Sequence, residues 1–134
     1  MSHPRKTALN PPGVAKPIRG YYSNSVRVSA GPLLFIAGQV ALDAEGRVVG
    51  KGDVRAQTVQ VLENMRVILR ANGAEMADVV SVTVYVTDIG CLDKIADIRM
   101  KYFSSEGPVS AIVEIAKLAM PELLIEISAV AAIP

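Results

Sequence analysis

The sequence predicts a small α+β domain, a mixed β-sheet with two helices packed on one face. Three observations predict it. The run Val79 to Thr87 (VVSVTVYVT) alternates with a period of two, as a half-buried strand does. From Asp53 to Asn72 the apolar residues recur every three or four positions, the helical spacing. Pro108 to Ala132 (PVSAIVEIAKLAMPELLIEISAVAA) reads as two nearly continuous apolar strands. The element order is ββαβαββ, and 134 residues make a single domain, long enough to bury most of its apolar surface around one core.

Residues 1–20 carry four of the eight prolines, which predicts an extended, loosely ordered segment that wraps the domain. Val26 to Ser29 and Leu33 to Gln39 read as two strands around the turn Ala30-Gly31-Pro32. A second turn spans Asp43 to Gly46, with the chain extended through Val48 and Val49. Asp53 is an N-cap for the long helix, whose stripe is Val54, Thr58, Val61, Leu62, Met65, Ile68 and Leu69. That helix ends at Asn72-Gly73, where glycine supplies the left-handed residue. After the valine strand, Leu92, Ile95, Ile98 and Tyr102 mark a shorter amphipathic helix that stops before Gly107-Pro108.

Splitting the strands by their period assigns Val80, Val82, Val84 and Val86 to the core. The same split puts Val109, Ala111, Val113 and Ile115 there, with Leu123, Ile125, Ile127 and Ala129. The opposite face then carries Ser81, Thr83, Tyr85, Ser110, Ile112, Glu114, Leu124, Glu126, Ser128 and Val130. An ionised carboxylate on a half-buried strand is costly unless paired or hydrogen-bonded, so Glu114 and Glu126 need a reason. Two helices cover one face of such a sheet. The mixed face, left bare, would be a large apolar patch on a monomer, which implies that other copies of the chain cover it.

Fourteen basic against 13 acidic residues leave a net charge of +1, and the basic residues are dispersed, so no polyanion partner is indicated. Cys91 is the only cysteine and can form no intramolecular disulfide. With no apolar stretch following the basic start MSHPRK, a reducing cytoplasm is the expected location. No apolar run approaches the roughly 18 residues of a membrane span. His3 and Cys91 stand too far from other ligands to suggest a metal, and the H-x-E and P-C-x-x-C ligand set of zinc deaminases is missing. Gly50-Lys51-Gly52 lacks the flanking spacing of a phosphate-cradling loop.

The order and spacing of several short stretches resemble the RidA/YjgF family of reactive-intermediate deaminases, also labelled translation inhibitors or endoribonucleases. These stretches are Tyr22-Ser23, Phe35 to Gln39, Asp43 to Gly46, Leu62-Glu63-Asn64, Val79 to Asp88, Tyr102-Phe103, Pro108, Val113 to Ile115 and Leu124 to Ile127. The resemblance implies a chorismate mutase-like fold and a homotrimer whose sheets form a central barrel, with ligand clefts between subunits. It further implies hydrolysis of imines or enamines to ammonia and a 2-keto acid, without metal or organic cofactor. In such a cleft an arginine grips the substrate carboxylate and a glutamate positions the attacking water.

Carried over residue by residue, the resemblance puts the water-positioning glutamate at Glu126 and an aromatic cleft wall at Tyr22. The arginine of the family's P-x-R-[ST] motif falls on Ser110, the residue two further on is Ile112, and a helical asparagine aligns with Ala96. The substrate clamp is thus replaced. Glu126 alternatively faces solvent at a strand end, Tyr22 alternatively packs the N-terminal segment, and Glu114 is read as structural. Arg99 shares a helix face with Leu92, Ile95 and Tyr102; its charge predicts snorkelling to the surface, with a surrogate clamp as the alternative.

The first functional reading is a cytoplasmic homotrimer that binds a small metabolite in its intersubunit clefts. As an enzyme it hydrolyses a C=N bond, on a substrate whose carboxylate is absent or differently presented. The alternatives are a non-catalytic ligand-binding or protein-interacting trimer, and a ribonuclease, which the charge balance does not support.

Overall fold

The computed structural model describes residues 5–134; the first four residues of the basic start, His3 among them, lie outside. Among the described residues six strands and two α-helices follow in the order β1 (Lys6–Leu9), β2 (Ser25–Val28), β3 (Leu33–Val40), α1 (Val54–Ala71), β4 (Val79–Val86), α2 (Leu92–Tyr102), β5 (Val109–Glu114) and β6 (Ile125–Ala132). The main sheet is ordered β3-β6-β4-β5, with β4 and β5 parallel and the other pairs antiparallel. Both helices pack on one of its faces, the mixed α+β architecture that the sequence predicts.

The N-terminal segment is more ordered than its prolines suggest. β1 pairs antiparallel with β2 from Lys6↔Val28 to Leu9↔Ser25, a ribbon separate from the main sheet. Lys6 Nζ ties this ribbon to the domain by donating to the Ala77 carbonyl at 2.6 Å, and Arg5 pairs with the buried Asp78. β2 and β3 are consequently not a hairpin. β3 pairs instead with β6, its equal in length, from Leu33↔Ala132 to Val40↔Glu126, with a register shift between Ile36 and Gln39.

α1 begins and ends where its caps dictate. The Asp53 carboxylate accepts from the Arg55 and Ala56 amides, both at 3.1 Å, satisfying two donors that the first turn leaves free. At the other end Gly73 takes φ +74°, its amide donates to Arg70 O at 3.1 Å, and the Ala74 amide reaches back to Leu69 O at 2.9 Å. The face so framed buries Gln57, Thr58, Val61, Leu62, Met65 and Leu69. Gln57 is polar yet fully buried because every donor and acceptor direction it uses meets backbone. Its Nε2 donates to Gly50 O and Glu122 O, and its Oε1 accepts from Leu124 N. Against this face lie Val82, Val84 and Val86 of β4 and Ile125, Ile127 and Ala129 of β6, as the period of two predicts, together with Ile95 and Ile98 of α2.

β5 corrects the predicted faces. Its parallel register sets Ser110 opposite Val82 and Ile112 opposite Val84, and paired residues share a face, so Ser110 and Ile112 point toward the helices. Val109, Ala111 and Val113 lie on the uncovered side, where Val113 is 43% exposed. The strand is apolar on both faces, so its period does not choose between them. Pairing to β4 does, since a one-residue slip would turn every side chain over. The uncovered face also carries Leu33, 51% exposed, and Phe35, 74% exposed, which pairs with Val130.

Candidate functional site

The segment before β2 is fastened to the start of β5. Ser23 N donates to Pro108 O at 3.0 Å and Ser23 Oγ to Gly107 O at 2.7 Å. A Cβ on Gly107 would stand 2.8 Å from Tyr21 O, so only glycine permits this close approach. The fastening sets Tyr21 and Tyr22 beside β5. Their ring centroids are 5.9 Å apart, and the Tyr22 hydroxyl accepts from the Ile18 amide at 3.3 Å. Tyr22 is half-buried, packs against the core and, through Ile18, holds the N-terminal segment, as its alternative reading has it.

Arg99 does not snorkel. It comes off α2 at 1% exposure, on the face that also buries Ile95 and Ile98. Its guanidinium carbon lies 4.1 Å from the centroid of the Tyr21 ring, a stacked cation–π contact. Nη2 donates to Ser110 Oγ at 2.8 Å, while Nε is buried with no hydrogen-bond partner among the described residues. Burial pushes its pKa below the ordinary arginine value, with Tyr21 acting the opposite way and the nearby Arg19 adding to the depression. The helix-face spacing placed Arg99 on the inward side. The signal that could have found its burial is the small hydroxyl at Ser110, which leaves room for a long side chain.

Glu126 lies elsewhere. It pairs with Tyr85 of β4 and Val40 of β3, on the sheet face that the helices leave bare. Its side chain lies across β3 over Gly38, where an added Cβ would stand 2.3 Å from Oε2. The carboxylate makes no hydrogen bond or ion pair among the described residues. Ser110 and Ile112 on one face and Glu126 on the other therefore do not converge within one chain. Neither do they line two of the surface pockets, one of about 360 Å³ bounded by Lys6, Met76, Tyr102 and Glu106, the other bounded by Thr87, Leu118 and Met120.

The remaining candidates have structural roles. Glu114 Oε1 accepts from Ile89 N at 3.0 Å, a backbone donor that fits its structural reading. Ala96 packs against the core. Cys91 is buried, and burial pushes its thiol up, away from the reactive thiolate. Among the described residues no three His, Cys, Asp or Glu side chains group as a metal site. No helix among them is long and apolar enough to cross a membrane.

Comparison with known proteins is consistent over nearly the whole chain. Residues 14–133 match the family model described as Endoribonuclease L-PSP. A RutC family protein of Pyrococcus horikoshii is 42% identical over 116 residues, spanning 87% of this chain and 89% of the relative. The protein DfrA of Myxococcus xanthus is 35% identical over 99 residues, 74% of this chain and 76% of its own length. Among solved structures, a Yersinia pestis protein of unknown function, described as a conserved Rid family member, superposes with a TM-score of 0.88. It is 36% identical, over 96% of this chain and 99% of that one. A Mycobacterium tuberculosis member of the YjgF/YER057c/UK114 family superposes at 0.67 with 35% identity, over 84% and 86% of the two chains. With its helix-backed mixed sheet and a family match from residue 14 to residue 133, the chain belongs to the RidA/YjgF family.

Proposed function

We propose that the chain assembles as a homotrimer, binds a small metabolite in the clefts between subunits, and hydrolyses an imine or enamine there. The observation that carries this reading is Glu126: a carboxylate without a partner among the described residues, lying over a glycine on the uncovered sheet face. A carboxylate left unpaired on a half-apolar surface is poorly placed for stability and well placed to hold a water. Because Glu126 and Ser110 lie on opposite sides of one sheet, a site that uses both must draw on two copies.

In such a cleft Glu126 orients a water and takes a proton from it as the oxygen adds to the C=N carbon. Glu126 passes that proton to the nitrogen, giving a carbinolamine; the hydroxyl proton then moves to nitrogen as the C–N bond breaks and ammonia leaves, so that imine plus water gives ketone plus ammonia. The protein supplies position and a base; the reaction needs no electron transfer.

The test is ammonia release from 2-aminoacrylate generated in situ by a second enzyme, compared with the uncatalysed decay. Glu126→Gln keeps the shape and removes the base, and is expected to lower the rate by about 10²- to 10⁴-fold. A wild-type protein that leaves the decay of amino-acid-derived imines unchanged would instead favour a non-catalytic ligand-binding trimer.

A further inference from the structure

Arg99 is a cation that the fold has buried without a counter-charge. The residue is 1% exposed, and no ion pair among the described residues includes it. Its neighbours are neutral or of the same sign: the Tyr21 ring, the Ser110 hydroxyl and, further off, Arg19, which is itself paired with Asp93. A charge removed from water without an opposite partner is among the costliest groups a core can hold. An anion from outside the chain would offset that cost.

The guanidinium edge shows where such an anion would fit. Nε and Nη2 form one edge of the guanidinium, the fork that meets a carboxylate through two parallel hydrogen bonds. On Arg99 this edge is half used, since Nη2 donates to Ser110 Oγ and Nε donates to nothing. Tyr21 occupies one flat face, and hydrogen bonding falls to the edge. Ser110 is half-buried and sits on β5, the outermost strand of the sheet, which gives that edge a way out.

We propose that Arg99 is the anion-binding residue of the cleft, gripping a ligand carboxylate through Nε and Nη2 with the Ser110 hydroxyl beside it. This rests on the cleft reading above and names the ligand class: a small organic monoanion. One uncompensated positive charge matches one negative charge, and a phosphate dianion would leave a buried excess. The role comes from a helix, and Ser110, rather than being an empty position, is the small residue that makes room for it.

The experiment titrates the ¹⁵N-labelled wild-type protein with pyruvate, with uncharged pyruvamide and with inorganic phosphate, following the Arg99 Nε–H resonance. A saturable shift with pyruvate, none with pyruvamide and a weaker one with phosphate is expected. Arg99→Met keeps the length and packing and is expected to weaken pyruvate binding by about 10- to 100-fold. Ser110→Asp supplies a carboxylate from within the chain; it should raise the melting temperature and abolish pyruvate binding, and it decides the matter if Arg99→Met fails to fold. Pyruvate affinity unchanged in a folded variant, an Arg99 Nε–H signal that pyruvate does not move, or tighter binding of phosphate or pyruvamide would overturn the proposal. The readout is binding alone: pyruvate held by Arg99 with no ammonia release would sink the hydrolase reading only, whereas imine hydrolysis undiminished in Arg99→Met would sink this one only.

Discussion

Gly38 owes its identity to what lies above it rather than to its own backbone, which is not in the left-handed region. A methyl group there would stand 2.3 Å from Glu126 Oε2 and 2.6 Å from Cδ. Those atoms end a flexible side chain, so the clash is relieved by a rotamer change and not by moving the sheet. Gly38→Ala is expected to melt within about 1 kcal/mol of wild type, since alanine also restricts the unfolded chain. The displaced carboxylate should nonetheless lower imine hydrolysis by about 10- to 100-fold, because a misplacement of roughly 1 Å is enough for that. An unchanged rate in a folded variant would show that the position of Glu126 does not matter to the chemistry. Glu126 stood out in the sequence as a candidate because a charge interrupts an apolar strand; Gly38 did not, since only the cross-strand register brings the two together.

Arg55 joins the two helices: its Nη1 donates to Asp97 Oδ1 at 2.7 Å and its Nη2 to Oδ2 at 3.0 Å, while Nη1 also reaches Lys94 O at 2.6 Å. This hydrogen bonding holds the Asp97 carboxyl down to about 2, from an ordinary value of 3.8. A carboxyl depressed in the folded state stabilises it at pH values above the unfolded value, and that contribution fades as the pH falls from about 4 toward 2. Both side chains are exposed, so the contribution is small and is screened by salt. Arg55→Gln should return the Asp97 midpoint toward 3.8 in an NMR titration and flatten the loss of stability over that window. A midpoint unmoved by the substitution would assign the depression to the helix backbone instead. The two helices themselves were readable from caps and spacing, yet this link between them was not, since Arg55 and Asp97 are both ordinary surface charges in sequence.

Over the whole molecule, the helices bury one face of the sheet and leave Leu33, Phe35 and Val113 on the other, with Phe35 74% exposed. An aromatic side chain so open to water is one that contact with another chain would cover. Placed in an interface between copies, Phe35→Asp would bury an unpaired charge at each contact. Light scattering at micromolar concentration is expected to give a trimeric mass for the wild type and a monomeric mass for the variant. A monomeric wild type would remove the assembly, and with it the cleft that Glu126 and Arg99 would share.

Local patterns were sufficient for much of this: Asp53 and Gly73 bound α1, the alternating valines orient β4, and the order of short stretches carries the family resemblance, because caps, periods and turn residues act over a few positions of chain. The face of β5, the partner of β3 and the fate of Arg99 depended on contacts between residues distant in sequence. A strand apolar on both sides can lie either way up until β4 pairs with it, and an arginine on a helix is expected in water unless the fold sets a ring against its face and a hydroxyl at its edge. Tyr21 and Ser110 are 78 and 11 residues from Arg99, and only the tertiary structure brings the three into contact.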